Sequence, residues 1–391
     1  MKLVASRNAP YENIWALLFV AWLQLSATTL GLELPNIVYI LADDLGYGDL
    51  GCYNQDSKIP TPHIDRLASE GMRFTDAHSP SSVCTPTRYA LLTGRYAWRT
   101  RLQRNVLGPW DSPLIAPDRL TVGKLLQRHG YATACIGKWH LGQNYFTSDG
   151  RPPIGGVNNA LGNVDFTKPI ADGPIAHGFD HYFGTIVPNY PPYCFIEDDH
   201  TLGLPSERAT GGSYRIPGPM VPGWKLEEIL PELTKRAVRW IEFTASTKKP
   251  FFLYLPLTSP HYPVVPAPEF IGKSSAGEYG DFVHQTDWSV GQVLDALERT
   301  KVADNTLVIF TSDNGPEITG EVNPGVYDRE QRFAHRSSGE LRGAKRDVWE
   351  GGHRVPFIAR WHGKIKAGAV SHETMCHVDF LATAAALLGE Q

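Results

Sequence analysis

Cys84 and Arg88 stand four residues apart in Ser82-Val83-Cys84-Thr85-Pro86-Thr87-Arg88, followed by Leu91-Leu92-Thr93-Gly94-Arg95. The run reads as the start of a helix, with Thr85 as a cap, Pro86 in the first turn and Gly94 as the stop. Arg88 then projects from the helical end that Cys84 precedes. A sulfur side chain, a guanidinium and the free N–H donors of a helix N-terminus together suit a tetrahedral oxyanion. The plain alternative is a structural cysteine beside a surface arginine. A second set of residues bears on the choice. Asp43-Asp44 and Asp313-Asn314 offer four oxygen-bearing side chains, the donors that a hard divalent cation such as Ca²⁺ or Mg²⁺ prefers. Zinc fits less well, because the set lacks the His and Cys count zinc favours. Lys138 and His140 lie two apart, the spacing that turns both toward one cleft in an extended segment. His261 and Lys345 add a further imidazole and ammonium from later in the chain.

Elements must bring these residues together, and the apolar pattern supplies them. Asn36 to Leu41, Tyr131 to Ile136, Phe251 to Leu257 and Thr306 to Thr311 are short runs rich in branched and aromatic residues without strict alternation. That pattern predicts strands buried on both faces, as in a parallel sheet. Helical patterns lie between them: Pro62 to Glu70, Val122 to His129, Glu232 to about Ala245 and Phe282 to Lys301. The alternation predicts an α/β fold, a large and mostly parallel central sheet with helices on both faces. Ligands of such sheets sit at the carboxyl ends of the strands. All four strands end in ionisable or metal-binding residues, which favours a functional reading over a structural one. Thr147 to Met220, dense in Gly, Pro, Asn and aromatics, reads as long loops with short strands that wall a substrate pocket. Gly315 to Arg342 reads as irregular, a flap ahead of Lys345.

Composition narrows the partners. The chain has 391 residues and a formal net charge of −4, so no basic surface argues for nucleic acid or an anionic membrane, and anion specificity must be local. Lys2 and Arg7 precede an apolar stretch from Ile14 to about Leu25 and then Ser26-Ala27-Thr28-Thr29, the layout of a secretory signal peptide over residues 1–31 with its cleavage site undefined. A secreted or periplasmic location follows, with membrane attachment only if that segment stays uncleaved. Five cysteines without a Cys-x-x-Cys pair argue against a disulfide scaffold and a zinc-thiolate site, and leave room for one or two disulfides.

The Cys84 run resembles the signature of the sulfatase family, Cys-x-Pro-Ser/x-Arg followed by a Leu-Thr-Gly turn, with Thr87 where many members have Ser. Leu341-Arg342-Gly343-Ala344-Lys345 followed by Glu350-Gly351-Gly352 resembles the family pattern too, and the likeness runs from about Leu34 to Leu388. The resemblance implies an alkaline-phosphatase-like fold and sulfate-ester hydrolysis. It implies that a maturation enzyme converts Cys84 to formylglycine (3-oxoalanine), whose hydrate is the nucleophile. It also implies one calcium, or less readily magnesium, at Asp43, Asp44, Asp313, Asn314 and the Cys84 position. Arg88 would hold the hydrate, Lys138 and Lys345 would neutralise sulfate oxygens, His261 with Lys345 would protonate the leaving alcohol, and His140 would take a proton from the second hydroxyl. A sulfated small molecule or sulfated glycan is the implied substrate. Sulfatases usually add a smaller C-terminal subdomain, which is not apparent before Gln391, so residues 32–391 are expected to be a catalytic domain truncated at its C-terminus.

Two rivals remain. A formylglycine-dependent phosphodiester or phosphonate monoester hydrolase would share the architecture and the tetrahedral substrate. A non-catalytic sulfated-glycan binder would keep Cys84 as a thiol.

Overall fold

The computed structural model describes residues 34–155, 161–212, 214, 216–318 and 325–390. The expected signal segment therefore lies outside the described residues. The four expected strands form: β1 (Asn36–Ala42), β2 (Ala132–Lys138), β3 (Phe251–Pro256) and β4 (Thr306–Ser312). They are mutually parallel in the spatial order β4-β1-β3-β2, at the middle of a 10-stranded sheet. Phe357–Arg360 pairs antiparallel beyond β4, followed by Met72–Phe74 and Ala369–Ser371. Every residue of β1 is buried, as expected for a strand with neighbours on both sides and helices on both faces.

Register is what matters for the site. Ala42 pairs with Ser312 and Leu41 with Pro256, so β1, β3 and β4 end level with one another. The Asp313 N–H then donates to the Ala42 carbonyl at 3.0 Å and the Asp43 N–H to the Ser259 carbonyl at 2.9 Å. Chain order alone could not guarantee that Asp43 and Asp313 emerge side by side; the register does.

The helices are α1 (Pro62–Glu70), α2 (Cys84–Thr93), α3 (Val122–Arg128), α4 (Ile229–Ser246) and α5 (Gly277–Arg299), followed by shorter ones that include Phe380–Leu387. Leu67 of α1, Leu233 of α4 and Leu294 of α5 pack with Val38 and Ile40 on one sheet face. On the other, the Tyr39 ring lies 4.6 Å from Phe380, whose helix touches α2 and α3. Helix α4 starts earlier than expected because Pro231 falls in its first turn, where a missing N–H costs nothing.

Three expectations need correction. Thr147 to Met220 is not only loop with peripheral strands: His181–Thr185 joins the main sheet, parallel to β2, with Lys138 opposite Thr185. Its glycine concealed it, yet Gly184 is required there, since a Cβ would meet the Gly137 carbonyl oxygen at 1.8 Å. The Gly315–Arg342 stretch holds a helix, Val326–Phe333, anchored by the Arg329 guanidinium 3.7 Å above the Tyr279 ring. All five cysteines are free, so no disulfide forms.

Gly137 sits at φ +139°, and a Cβ there would lie 1.9 Å from the Pro256 carbonyl oxygen. Gly137→Ala is expected to cost at least about 2 kcal/mol, as substitutions at special backbone positions do. Urea unfolding checks this, and an unchanged midpoint would contradict the close approach of β2 and β3.

Candidate active site

Helix α2 begins at Cys84 itself, with Val83 as an N-cap that supplies no side-chain bond. The expected Thr85 cap is corrected. The Thr85 hydroxyl donates to the His140 carbonyl at 3.1 Å and accepts from the Leu107 N–H at 3.3 Å, tying the helix start to the segment after β2. Gly94 ends the helix as expected, at φ 63°.

The structure brings every expected site residue together at the carboxyl ends of β1 to β4. Cys84 Sγ is 3.7 Å from Asp43 Oδ1. Arg88 Nη2 donates to Asp313 Oδ2 at 2.7 Å and Nε to the same oxygen at 3.0 Å, while Nη1 reaches the Lys138 carbonyl at 3.0 Å. Lys138 Nζ donates to Asp43 Oδ2 at 2.6 Å, and Lys345 Nζ to Asp44 Oδ2 at 2.7 Å. Asn314 Nδ2 donates to Asp44 Oδ1 at 2.7 Å, and His261 Nε2 stands 3.8 Å from Asp44 Oδ2. Three carboxylates thus face three cations, nearly all of them withdrawn from water. Asp44, His140 and Arg346 all take positive φ without being glycine, strain that the surroundings must hold in place.

Burial dictates the protonation states. The Cys84 thiol is pushed up to about 12 by burial, against the pull of Lys138 and Lys345, so it stays protonated at neutral pH. Burial raises the Asp44 carboxyl too, but Lys345 and His261 outweigh it and hold it well below the usual range. Asp313 moves the other way, up to about 6, because burial and the Asp43 charge exceed the help from Arg88. Burial, with Lys138 nearby, lowers His261 to about 3; burial with Lys138 and Arg88 lowers His140 well below its ordinary value. Both imidazoles are neutral at pH 7.

Hydrogen-bond acceptors then fix their tautomers. His140 Nε2 meets the Leu107 carbonyl at 3.0 Å, an oxygen that can only accept, so Nε2 carries the proton and Nδ1 is a bare lone pair. That Nδ1 is buried without a partner among the described residues. His261 Nδ1 likewise donates to the Tyr262 carbonyl, leaving Nε2 bare.

The donor set suits a hard cation on an independent observation. Asn314 Nδ2 has two acceptors, Asp44 Oδ1 and the Gly315 carbonyl, which fixes the amide orientation and directs Oδ1 the other way. Asn314 Oδ1 is buried with no donor among the described residues, at a cost of about 1–3 kcal/mol if nothing meets it. Ligand atoms of Asp43, Asp44, Cys84 and His261 lie within 4.8 Å of one another.

A cavity of about 600 Å³ opens onto these groups, lined by Cys84, His140, His261 and Lys345. Asn105, Asn189, Tyr190, Glu317 and Arg346 also line it and went unmarked as individual site residues in the sequence. Tyr190 belongs to the aromatic segment expected there; Arg346 follows a flagged lysine, and nothing local marks Asn105. Tyr193, from the same segment, packs inside instead, and Phe195 is half-buried, stacked 4.9 Å from Phe183. Another hollow of about 490 Å³, beside Phe183 and Arg236, contains none of the site residues, so the chemistry belongs to the first.

A mostly parallel sheet with acidic strand ends, a buried thiol at a helix start and a ring of cations suits the hydrolysis of an anionic ester, on an alkaline-phosphatase-like fold. A Sulfatase family model matches residues 35–390, and the chain belongs to the sulfatase family, whose members are sulfuric ester hydrolases. It is 36% identical over 397 residues to an N-acetylgalactosamine-6-O-sulfatase of Bacteroides thetaiotaomicron, covering 90% of this chain and 72% of that one. It is 35% identical over 365 residues to human arylsulfatase A, covering 91% and 64%. A solved Bacteroides thetaiotaomicron protein from work on the metabolism of multiple glycosaminoglycans superposes with a TM-score of 0.79 at 34% identity, covering 92% and 78%. The phosphonate monoester hydrolase of Agrobacterium radiobacter shares the fold, with a TM-score of 0.57 at 17% identity over 91% of this chain and 74% of that one. The chain spans about two thirds of the length of the curated relatives it matches.

Asp313→Asn removes one charge from the oxygen cluster and is expected to weaken Ca²⁺ binding roughly tenfold or more, because affinity follows ligand charge. Calorimetric titration of the full chain checks it; equal affinities would remove Asp313 from the cation site.

Proposed function

We propose that the protein hydrolyses sulfate esters to an alcohol or phenol plus inorganic sulfate, with Cys84 converted to formylglycine and one Ca²⁺ at Asp43, Asp44, Asp313 and Asn314. The observation that carries the reading is the state of Cys84. A buried thiol held protonated at neutral pH is a poor nucleophile, yet it lies where carboxylates, cations and a helix start converge. Formylglycine would supply there, as its hydrate, an oxygen nucleophile that can be regenerated, whereas a thiosulfate ester on cysteine has no second hydroxyl to expel the sulfate. The cation would supply two positive charges to a cluster whose three carboxylates and three basic groups otherwise cancel, giving the site a net attraction for a sulfate monoanion.

The chain's own residues do the rest. Arg88 clamps Asp313 and the Lys138 carbonyl, fixing the floor of the site. Lys138 and Lys345 present ammonium groups to developing negative charge on sulfate oxygens. His140, whose bare Nδ1 has no partner among the described residues and which lines the cavity, accepts a proton. Lys345 is held as an ammonium by Asp44, while neutral His261 offers a bare Nε2 on the same side. Lys345 supplies the proton to the leaving oxygen, and His261 Nε2 beside it is a bare acceptor for a hydrogen bond from the alcohol so formed.

A sulfated glycan is the preferred substrate class, on the strength of relatives named for N-acetylgalactosamine 6-sulfate and of Tyr190 in the cavity wall, a ring suited to stacking on a sugar. Cys84 is 2% exposed, so the converting enzyme must reach it before α2 packs. The domain reading is retained as part of this proposal: a signal segment over 1–31 that directs the protein to a secreted or periplasmic location, then a sulfatase catalytic domain. No helix among the described residues is long and apolar enough to cross a membrane.

The wild-type protein is expected to prefer an aryl sulfate over an aryl phosphate diester in kcat/KM, and Cys84→Ala to lose on the order of a millionfold, as nucleophile deletions do. A preference for the diester would favour the phosphonate-hydrolase rival. Mass spectrometry that finds only thiol at Cys84 in active native protein would overturn the formylglycine assignment. Because burial lowers the His140 pKa, its imidazole stays a base as pH falls. The acid limb of kcat/KM should therefore lie below pH ~6.5, the ordinary histidine value. A limb above that value which disappears in His140→Gln would contradict the base role.

A further inference from the structure

The strand Ala77–His78 and the short helix Glu350–His353 bring two imidazoles together outside the cavity. His78 Nδ1 and His353 Nδ1 face each other at 3.0 Å. The far nitrogen of each ring is spoken for. His78 Nε2 lies 3.1 Å from Asp76 Oδ1, and His353 Nε2 lies 3.1 Å from the Val348 carbonyl. Carboxylate and carbonyl oxygens only accept, so both Nε2 atoms carry hydrogen and, in the neutral rings, both Nδ1 atoms are bare. Two bare lone pairs at hydrogen-bond distance repel unless something positive lies between them. One ligand atom from each of His78, Glu350 and His353 lies within 4.8 Å of the other two.

We propose that His78, His353 and Glu350 hold a divalent cation of the zinc class, with water as the fourth ligand. Two imidazoles and a carboxylate are a zinc-type donor set, unlike the all-oxygen cluster at the strand ends. Metal–nitrogen bonds of about 2.0–2.1 Å at a tetrahedral angle place the two nitrogens roughly 3.3 Å apart, so the pair has only to open slightly. Asp76 behind His78 and the Val348 carbonyl behind His353 are the outer acceptors that orient metal-binding imidazoles and raise their basicity. Arg354 bridges this shell, 3.3 Å from Asp76 and 3.0 Å from Glu350.

The location gives the site a positioning role. The His353 carbonyl accepts from the Ser79 N–H at 2.7 Å, at the head of the segment that leads to Cys84. One residue earlier, the Gly352 carbonyl accepts from the Gly315 N–H at 2.9 Å, next to Asn314. A cation there fastens the thiol-bearing segment to the one that flanks the oxygen cluster.

The test is zinc titration of the full chain by calorimetry with calcium saturating, so that the oxygen cluster does not compete. One Zn²⁺ per chain is expected. His353→Ala should weaken it on the order of a hundredfold and Asp76→Asn roughly tenfold, the range of outer-shell effects. Co²⁺ in place of zinc should give visible bands of tetrahedral character that His353→Ala abolishes. If His353→Ala does not fold, the half-exposed Glu350 provides Glu350→Gln, for which at least a tenfold loss is expected. No zinc uptake by the wild-type chain, or equal affinities in the variants, overturns the proposal and leaves the pair sharing a proton. Turnover is not the readout, so failure here leaves the sulfate-ester reading standing.

Discussion

Everything at the site depends on one electrostatic constraint: three carboxylates removed from water at the ends of two adjacent parallel strands. Asp43 and Asp313 are forced together by the pairing of Ala42 with Ser312, and Asp44 follows directly. Like charges at that distance raise one another's pKa, as Asp313 registers. Arg88, Lys138 and Lys345 compensate, each from a different element: Lys138 on Asp43, Arg88 on Asp313 and Asp43, and Lys345 on Asp44 and, more distantly, Glu317. Removing one partner of such a buried pair costs about 3–5 kcal/mol, because the survivor keeps its charge and loses its counterion. The arrangement is therefore no stabilising device; it is a fixed field that an anion or a cation can enter without much rearrangement of the protein.

The backbone around the site is strained in the same places. Positive φ at Asp44, His140 and Arg346 is expensive for residues with side chains, and each is held by a neighbour. The Asp44 N–H is tied to Asp313 Oδ1, the His140 carbonyl to Thr85, and the Arg346 N–H to the Ser82 carbonyl. The Arg346 bond joins a late loop to the approach of α2. The Thr85 bond joins α2 to the end of β2. Strain and cross-links coincide, so these segments are over-determined by contacts from elsewhere in the fold.

Much of this was legible in the sequence, and what was not has a physical reason. β1 to β4 announce themselves as continuous apolar runs because both of their faces are covered, and their polar termini mark the site. His181–Thr185 was invisible as a sheet member because its fit depends on Gly184 against Gly137, a close approach that lowers local strand propensity instead of raising it. Val326–Phe333 is polar over most of its length, and its anchor is a cation–π contact with Tyr279, which no local pattern encodes. Thr85 has cap chemistry at a cap-like position, yet tertiary partners 22 and 55 residues away take its hydroxyl. Glu317 and Arg346 reach the cavity through an ion pair with each other, a pairing fixed only once the chain has folded.

Donor chemistry separates what the two clusters of ligating residues can do. At the strand ends the residue types are oxygen-rich, the amide oxygen of Asn314 lacks a donor among the described residues, and the neighbouring imidazole of His261 turns a bare nitrogen toward a carboxylate already claimed by Lys345. A hard, exchangeable cation suits that place, since it must leave room for substrate oxygens. At His78 and His353 the facing atoms are nitrogens locked by outer acceptors, which suits a borderline cation held tightly and never exposed to substrate. Five residues separate His78 from Cys84 within one connecting segment. Rigidity at one end of it bears directly on where the reacting atom sits at the other, and a displacement of about 1 Å there is enough to cost a hundredfold in rate.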